Sequence, residues 1–180
     1  MKHILSTLIL ISTLPTLAFQ GGVSGGGGNI ISPVFPNSPV SAETAEHIVY
    51  GSHTILKKYI NRKLLAYKNK QLSEKQYQIF LPIFNSSKNI ETIINTVRVL
   101  VPDEHSCWDA QKNPVDGSTI TNDPNSICIS AYNIATKVDV SDIPAQASAL
   151  MLHEYGELAG LNEVQAVQAQ TEVLNELRGQ

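Results

Sequence analysis

Apolar side chains recur at helical spacing from Ala45 through Ile48, Val49, Ile55, Leu56, Tyr59, Ile60 and Leu64 to Tyr67. Steps of three and four residues line one face of an α-helix, so this stretch predicts one long amphipathic helix. Ser41 stands before it as an N-cap, with Glu43 in the first turn. His47 and His53 lie six apart, which places them on different faces, at the surface or the helix edge. Ser73 with Gln76 forms a capping box for a second, shorter helix that should end before Pro82.

After Ser87 the pattern changes to β-branched residues, and Thr96 to Val101 alternates as a strand that Pro102 stops. A second strand is expected at Ile127 to Ile134. The chain then turns apolar on every side from Ile143 to Leu161, with Asp142 as cap, Pro144 in the first turn and Gly160 as the stop. A last helix is expected from Asn162 to about Leu177, burying Val164, Val167, Val173, Leu174 and Leu177. The order is helix, helix, strands, helix, helix. It predicts an α+β fold with helices around a small antiparallel or mixed sheet and a C-terminal helical hairpin.

Composition changes this picture mainly at the N-terminus. Lys2, an apolar run from Ile4 to Leu17 and the small-residue spacing ending at Ala18 read as a signal peptide, residues 1–18, too short for a membrane span. The mature chain is therefore expected to be exported, to the periplasm or outside the cell, with no stable membrane insertion after cleavage. Six glycines between Gly21 and Gly28, followed by Pro33, Pro36 and Pro39, predict a flexible linker over residues 19–40. Residues 41–180 remain as a single domain.

Charge is divided along the chain. Residues 19–98 hold nine Lys/Arg against four Asp/Glu, and residues 99–180 hold three against twelve, giving +5 and −9. The basic residues Lys57, Lys58, Arg62, Lys63, Lys68 and Lys70 fall on the first amphipathic helix, where a solvated face accounts for them, and no nucleic-acid partner is expected. Cys107 and Cys128 are the only cysteines. In an oxidising compartment they read as one disulfide bracketing a loop rich in Asp, Asn, Pro and Gly. The acids of that loop, Asp103, Asp109, Asp116 and Asp123, lack the alternate spacing of a calcium-binding loop.

Candidate chemistry sits in the apolar helix. Its only acidic or basic side chains are His153, Glu154 and Glu157. Residues four apart share a helix face, so His153 and Glu157 can converge on one cation, with Glu154 at the edge of that face. Charge buried in a greasy helix needs a partner or a metal. If the chain reverses at Gly160, Glu163 returns level with Glu157, whereas Glu172 passes the level of His153 by roughly 7 Å at the helical rise. Glu163 is the better third ligand. A direct pairing of His153 with Glu157 or Glu163 is the alternative without a metal.

The string His153-Glu154-x-x-Glu157-x-x-Gly160-x-x-Glu163 resembles the active helix of zincin-type metallopeptidases, whose signature is His-Glu-x-x-His followed by a third ligand. The resemblance covers about the last third of the chain, and Glu157 stands where that family has its second His. It implies that His153 is a ligand of zinc or another divalent cation and that Glu154 is the general base for a metal-bound water in peptide hydrolysis, with a peptide or protein as substrate. One imidazole and two carboxylates would make the ion a weaker Lewis acid than two imidazoles and one carboxylate, and would suit Mn²⁺ or Mg²⁺ as well. The competing expectation is a non-catalytic exported binding domain that keeps a zincin-like scaffold.

Overall fold

The structure, a computed structural model, describes residues 27–33, 36 and 39–179. The expected signal peptide and the first part of the expected linker lie outside the described residues. The N-terminal helix α1 spans Ala42–Lys68 and is capped by Ser41, whose side chain accepts from Thr44 N–H. Helix α2, Glu74–Phe84, starts with the Ser73–Gln76 capping box. It runs through Pro82 rather than stopping before it. Pro82 falls in the last turn, and the hydrogen bond it cannot make would go to the carbonyl of exposed Gln78, which water can reach.

The β-branched run after Ser87 is a helix before it is a strand. Asn89 caps α3, Ile90–Thr96, by accepting from Glu91 and Thr92 N–H, and Ile90, Ile93 and Ile94 are buried at helical spacing. Strand β1 is then only Arg98–Leu100. The loop that follows contains three short strands, β2 (Cys107–Trp108), β3 (Pro114–Val115) and β4 (Gly117–Thr119). The second expected strand, Ile127 to Ile134, divides. Strand β5 covers Ser126–Ile129, and Ser130 then caps α4, Ala131–Lys137, by accepting from Asn133 N–H. A side-chain cap thus overrides the β-propensity of the residues after it.

Strands β1, β5 and β4 form a mixed sheet in that order, with β1 parallel and β4 antiparallel to β5. Val99 pairs with Ile127, and Ser118 with Cys128. A separate β2–β3 ribbon is tied to the sheet by the Cys107–Cys128 disulfide, whose Cα atoms are 5.8 Å apart.

Helix α5, Ile143–Ala159, is buried on nearly every face, as its unbroken apolar composition requires. It is packed by helices α1, α3 and α6 and by strands β4 and β5. Gly160, at φ 99°, ends it in the left-handed region, and Leu161 N–H closes back on the Gly156 carbonyl at 2.9 Å. Asn162 and Gln165 form the capping box of α6, Glu163–Arg178. The reversal takes three residues, so α5 and α6 are a tight hairpin. The buried face of α6 differs from expectation. Val164 is 66% and Val167 37% exposed, while Ala166, Ala169, Gln170, Val173 and Leu174 are buried. Small side chains at Ala166 and Ala169 let α6 approach α5 closely, and that contact sets the helix rotation.

Candidate metal centre

Two helix segments and one stretch of extended chain meet around the ionisable side chains of α5. Helix α5 supplies His153 and Glu154, both fully buried, and Glu157, whose side chain is 11% exposed. Helix α6 supplies Glu163 at its first position, with a side chain 57% exposed. His153 Nε2 stands 3.5 Å from Glu163 Oε2 and 3.9 Å from Glu157 Oε1. One ligand atom from each of His153, Glu154 and Glu157 lies within 4.8 Å of the others, so the three form a group that could hold a metal ion. Glu172 and Glu176 are engaged elsewhere, by Lys75 at 2.9 Å and by Lys63 at 2.6 Å.

The orientation of the imidazole follows from its neighbours. Gln170, buried on α6, donates from Nε2 to the Asn29 carbonyl at 2.9 Å. A carbonyl oxygen only accepts, so the Gln170 amide must turn its own oxygen to His153 Nδ1, 3.0 Å away. Nδ1 therefore carries the ring proton and Nε2 a lone pair, the arrangement of a metal-ligating histidine held by a neighbouring acceptor. Nε2 makes no hydrogen bond among the described residues, and neither do the buried Oε2 atoms of Glu154 and Glu157. Buried polar atoms are rarely left so, and here three of them belong to adjacent side chains.

Electrostatics point the same way. Burial, followed by the charge of Glu157, raises the Glu154 carboxyl well above the usual carboxylate range, against the pull of the Gly28 and Thr119 backbone N–H groups. Burial, then the charge of Glu163 and a hydrogen bond with it, pushes Glu157 up to about 8. Burial lowers His153, opposed by the charge of Glu163 and the Gln170 hydrogen bond. In the metal-free cluster burial thus favours the neutral imidazole of His153 and the protonated forms of Glu154 and Glu157. A direct His153–Glu ion pair would require the imidazolium that burial disfavours. A divalent cation could be held by the His153, Glu154 and Glu157 group, where its charge would offset that of the carboxylates and its binding would displace their protons.

The floor of the site is glycine-lined. Gly28 N–H donates to Glu154 Oε1 at 2.9 Å, and a Cβ at Gly28 would meet that same oxygen at 2.6 Å. On β4, a Cβ at Gly117 would lie 3.0 Å from it. Part of the expected linker, from Gly27 to Ser32, is therefore seated against the domain. Its seating depends on partners near the C-terminus, which no local pattern reveals. Gln170 also escaped the sequence reading. Its signal was a polar residue on the small-residue face of α6, seven positions after Glu163 and so on the same side.

Other residues singled out in the sequence lie elsewhere. His53 is half-buried, with Nε2 3.1 Å from the Ile94 carbonyl. In the acidic loop, Asp109 is bonded by Asn113 and Asp123 by Arg98 and Ser126. Asp116, also of that loop, is buried against Asn133, Lys137 and Ile30 N–H. Among the described residues, no helix is long and apolar enough to cross a membrane. In comparisons with known proteins, no protein family, no curated protein and no solved structure matches this chain.

Proposed function

We propose that the chain is an exported protein whose His153, Glu157 and Glu163 bind a divalent cation, and that it acts as a metal-dependent peptide hydrolase with Glu154 as general base. The observation that carries the reading is the buried His153 Nε2, which has no hydrogen-bond partner among the described residues and is turned by Gln170 toward carboxyl oxygens of Glu163 and Glu157 at 3.5 and 3.9 Å. Export is supported by the N-terminal sequence pattern and by the Cys107–Cys128 disulfide, a bond that oxidising compartments maintain.

A bound cation would supply Lewis acidity toward a water and a substrate carbonyl. The residues of the chain do the rest. Gln170 fixes the imidazole so that Nε2 faces the carboxylates. Glu163, at the first position of α6, brings a carboxyl oxygen to 3.5 Å from Nε2. Glu154, one residue beyond His153, would take a proton from the attacking water and return it to the leaving amine.

A second reading has an observation of its own. Glu154 is fully buried and its Oε1 is already engaged by Gly28 N–H, which favours a binding domain whose cation is structural. The mature protein should be stripped with chelator, titrated with Zn²⁺ and with Mn²⁺, and followed by thermal unfolding, then assayed on a mixed peptide library. Stabilisation that Glu157→Gln abolishes, with hydrolysis that falls about 100-fold or more in Glu154→Gln, supports the hydrolase. Stabilisation without hydrolysis supports the binding domain. If neither ion stabilises the protein, both readings of the cluster fail.

A further inference from the structure

The segment from Gly27 to Ser32 is held in an unusual manner. Six hydrogen bonds join it to the domain, and each is made by one of its main-chain atoms. Gly28 N–H donates to Glu154, and the Gly28 carbonyl accepts from Gly117 N–H at 2.9 Å. The Asn29 carbonyl accepts from Gln170, and Ile30 N–H donates to Asp116 at 3.0 Å. The Ile31 carbonyl accepts from Gln146 at 2.9 Å, and the Ser32 carbonyl from Arg178 at 2.9 Å. Four of the domain's side chains in this set, Glu154, Asp116, Gln146 and Gln170, are buried. Domain interiors seldom commit that many polar side chains to one stretch of backbone, because each must be satisfied when it is desolvated.

The position of the segment is equally specific. Strand β4 is at the edge of the three-stranded sheet, and the Gly117–Gly28 bond places the segment on its open side. An unpaired strand edge is a template for an additional extended chain. Side chains contribute recognition at two points. Gly28 passes where a Cβ would collide with Glu154 and Leu150, and Ile30 and Ile31 rest half-buried on the core.

Other features mark the segment as loosely seated. Asn29 and Ser32 are exposed. Ser32 sits at φ 45°, a conformation that a residue with a Cβ rarely adopts.

We propose that residues 27–32 are a displaceable strap, occupying in cis a cleft built to bind the main chain of an extended peptide, and that the closed strap covers Glu154. The ligand class is an extended peptide with glycine at the position facing Glu154 and aliphatic residues two and three places after it. The cleft itself needs no cation. Only its link to hydrolysis rests on the function proposed above, where strap release would be the step that admits water and substrate to Glu154.

The test uses the full mature chain, wild type and Gly28→Ala, with Asn29→Ala as a control because that side chain is exposed. The added methyl at position 28 would meet Glu154 and Leu150 of α5 and should unseat the strap, because the short strap gives way before the buried helix does. Hydrogen exchange and binding of a fluorescein-labelled peptide, Gly-Gly-Asn-Ile-Ile-Ser, are measured. In the wild type, the amides of Gly28 and Ile30 should exchange through local opening, at least about tenfold faster than those of α5. In Gly28→Ala they should quicken by a further factor of about 100 while α5 is unchanged. The labelled peptide should bind Gly28→Ala with one-to-one stoichiometry. It should bind neither the wild type nor Asn29→Ala, where the tethered strap competes at high effective concentration.

The proposal is overturned if the strap amides exchange only together with those of α5, since the segment is then part of the cooperative core. It is also overturned if the strap loosens and the peptide still does not bind. Neither readout involves a metal. A chain that binds the peptide but no divalent ion keeps the strap and loses the hydrolase, and the reverse result is equally legible.

Discussion

Gln170 is the residue whose replacement tests the site most sharply. In Gln170→Leu the volume is nearly kept, but His153 Nδ1–H loses its acceptor at 3.0 Å and the Asn29 carbonyl loses its donor at 2.9 Å. Each hydrogen bond is worth about 1 kcal/mol net, and a buried group left unpaired adds about 1 kcal/mol or more, so the substitution should cost about 2–3 kcal/mol. For a domain of this size that lowers Tm by roughly 5–10 °C. The imidazole should suffer a second effect. Without an acceptor at Nδ1 the proton is no longer confined there, and divalent-ion affinity should fall about 10–100-fold. Thermal unfolding with and without Zn²⁺ gives the two magnitudes, and ¹⁵N NMR of His153 gives the tautomer directly. The reasoning is refuted if wild-type His153 carries its proton on Nε2, or if Gln170→Leu binds the ion as the wild type does.

Three further outcomes are expected. Glu157 is raised from 4.5 to about 8, so between those values the folded chain holds a proton that the unfolded chain has lost, and its contribution to stability falls as pH rises. His153, lowered from 6.5, acts oppositely, but only up to about that pH. Chelated protein should therefore lose Tm between pH 6.5 and 8, and saturating divalent ion should remove the loss; a flat or rising curve would contradict the assignment. Opening the Cys107–Cys128 disulfide, which closes a loop 21 residues in sequence separation, should cost about 3 kcal/mol, measured by urea unfolding with and without reductant. Gly160→Ala forces a Cβ into the left-handed region at φ 99° and should cost about 1 kcal/mol, again by urea unfolding; an unchanged midpoint would mean that the α5–α6 turn relaxes freely.

The long elements were legible because their signals are local. Ser41, the Ser73–Gln76 box, Pro144 and Gly160 act within a turn of themselves, and the apolar periodicity of α1 and the unbroken apolar stretch of α5 need no tertiary information. The short ones were not. Strands of two or three residues carry too few positions to show alternation, and the β-branched residues of α3 argue for a strand until Asn89 is recognised as a cap. The rotation of α6 was misjudged because valine outranks alanine in hydrophobicity, whereas close helix packing selects small side chains. At the site, the residues on α5 and at the start of α6 could be placed from spacing alone. Gln170 and Gly28 could not, because each acts through a partner many residues away.

The strap has a consequence for the order of assembly. Its partners lie 86 to 146 residues further along the chain, from Asp116 to Arg178. Residues 27–32 leave the ribosome early, yet their set of hydrogen bonds is complete only once α6, which supplies Gln170 and Arg178, has been made and laid against α5. The earliest part of the domain to be synthesised is therefore the last to be seated. During that interval the carboxyl groups of α5 stand open to the solvent of whichever compartment the chain is folding in, and the composition of that solvent is what they first encounter.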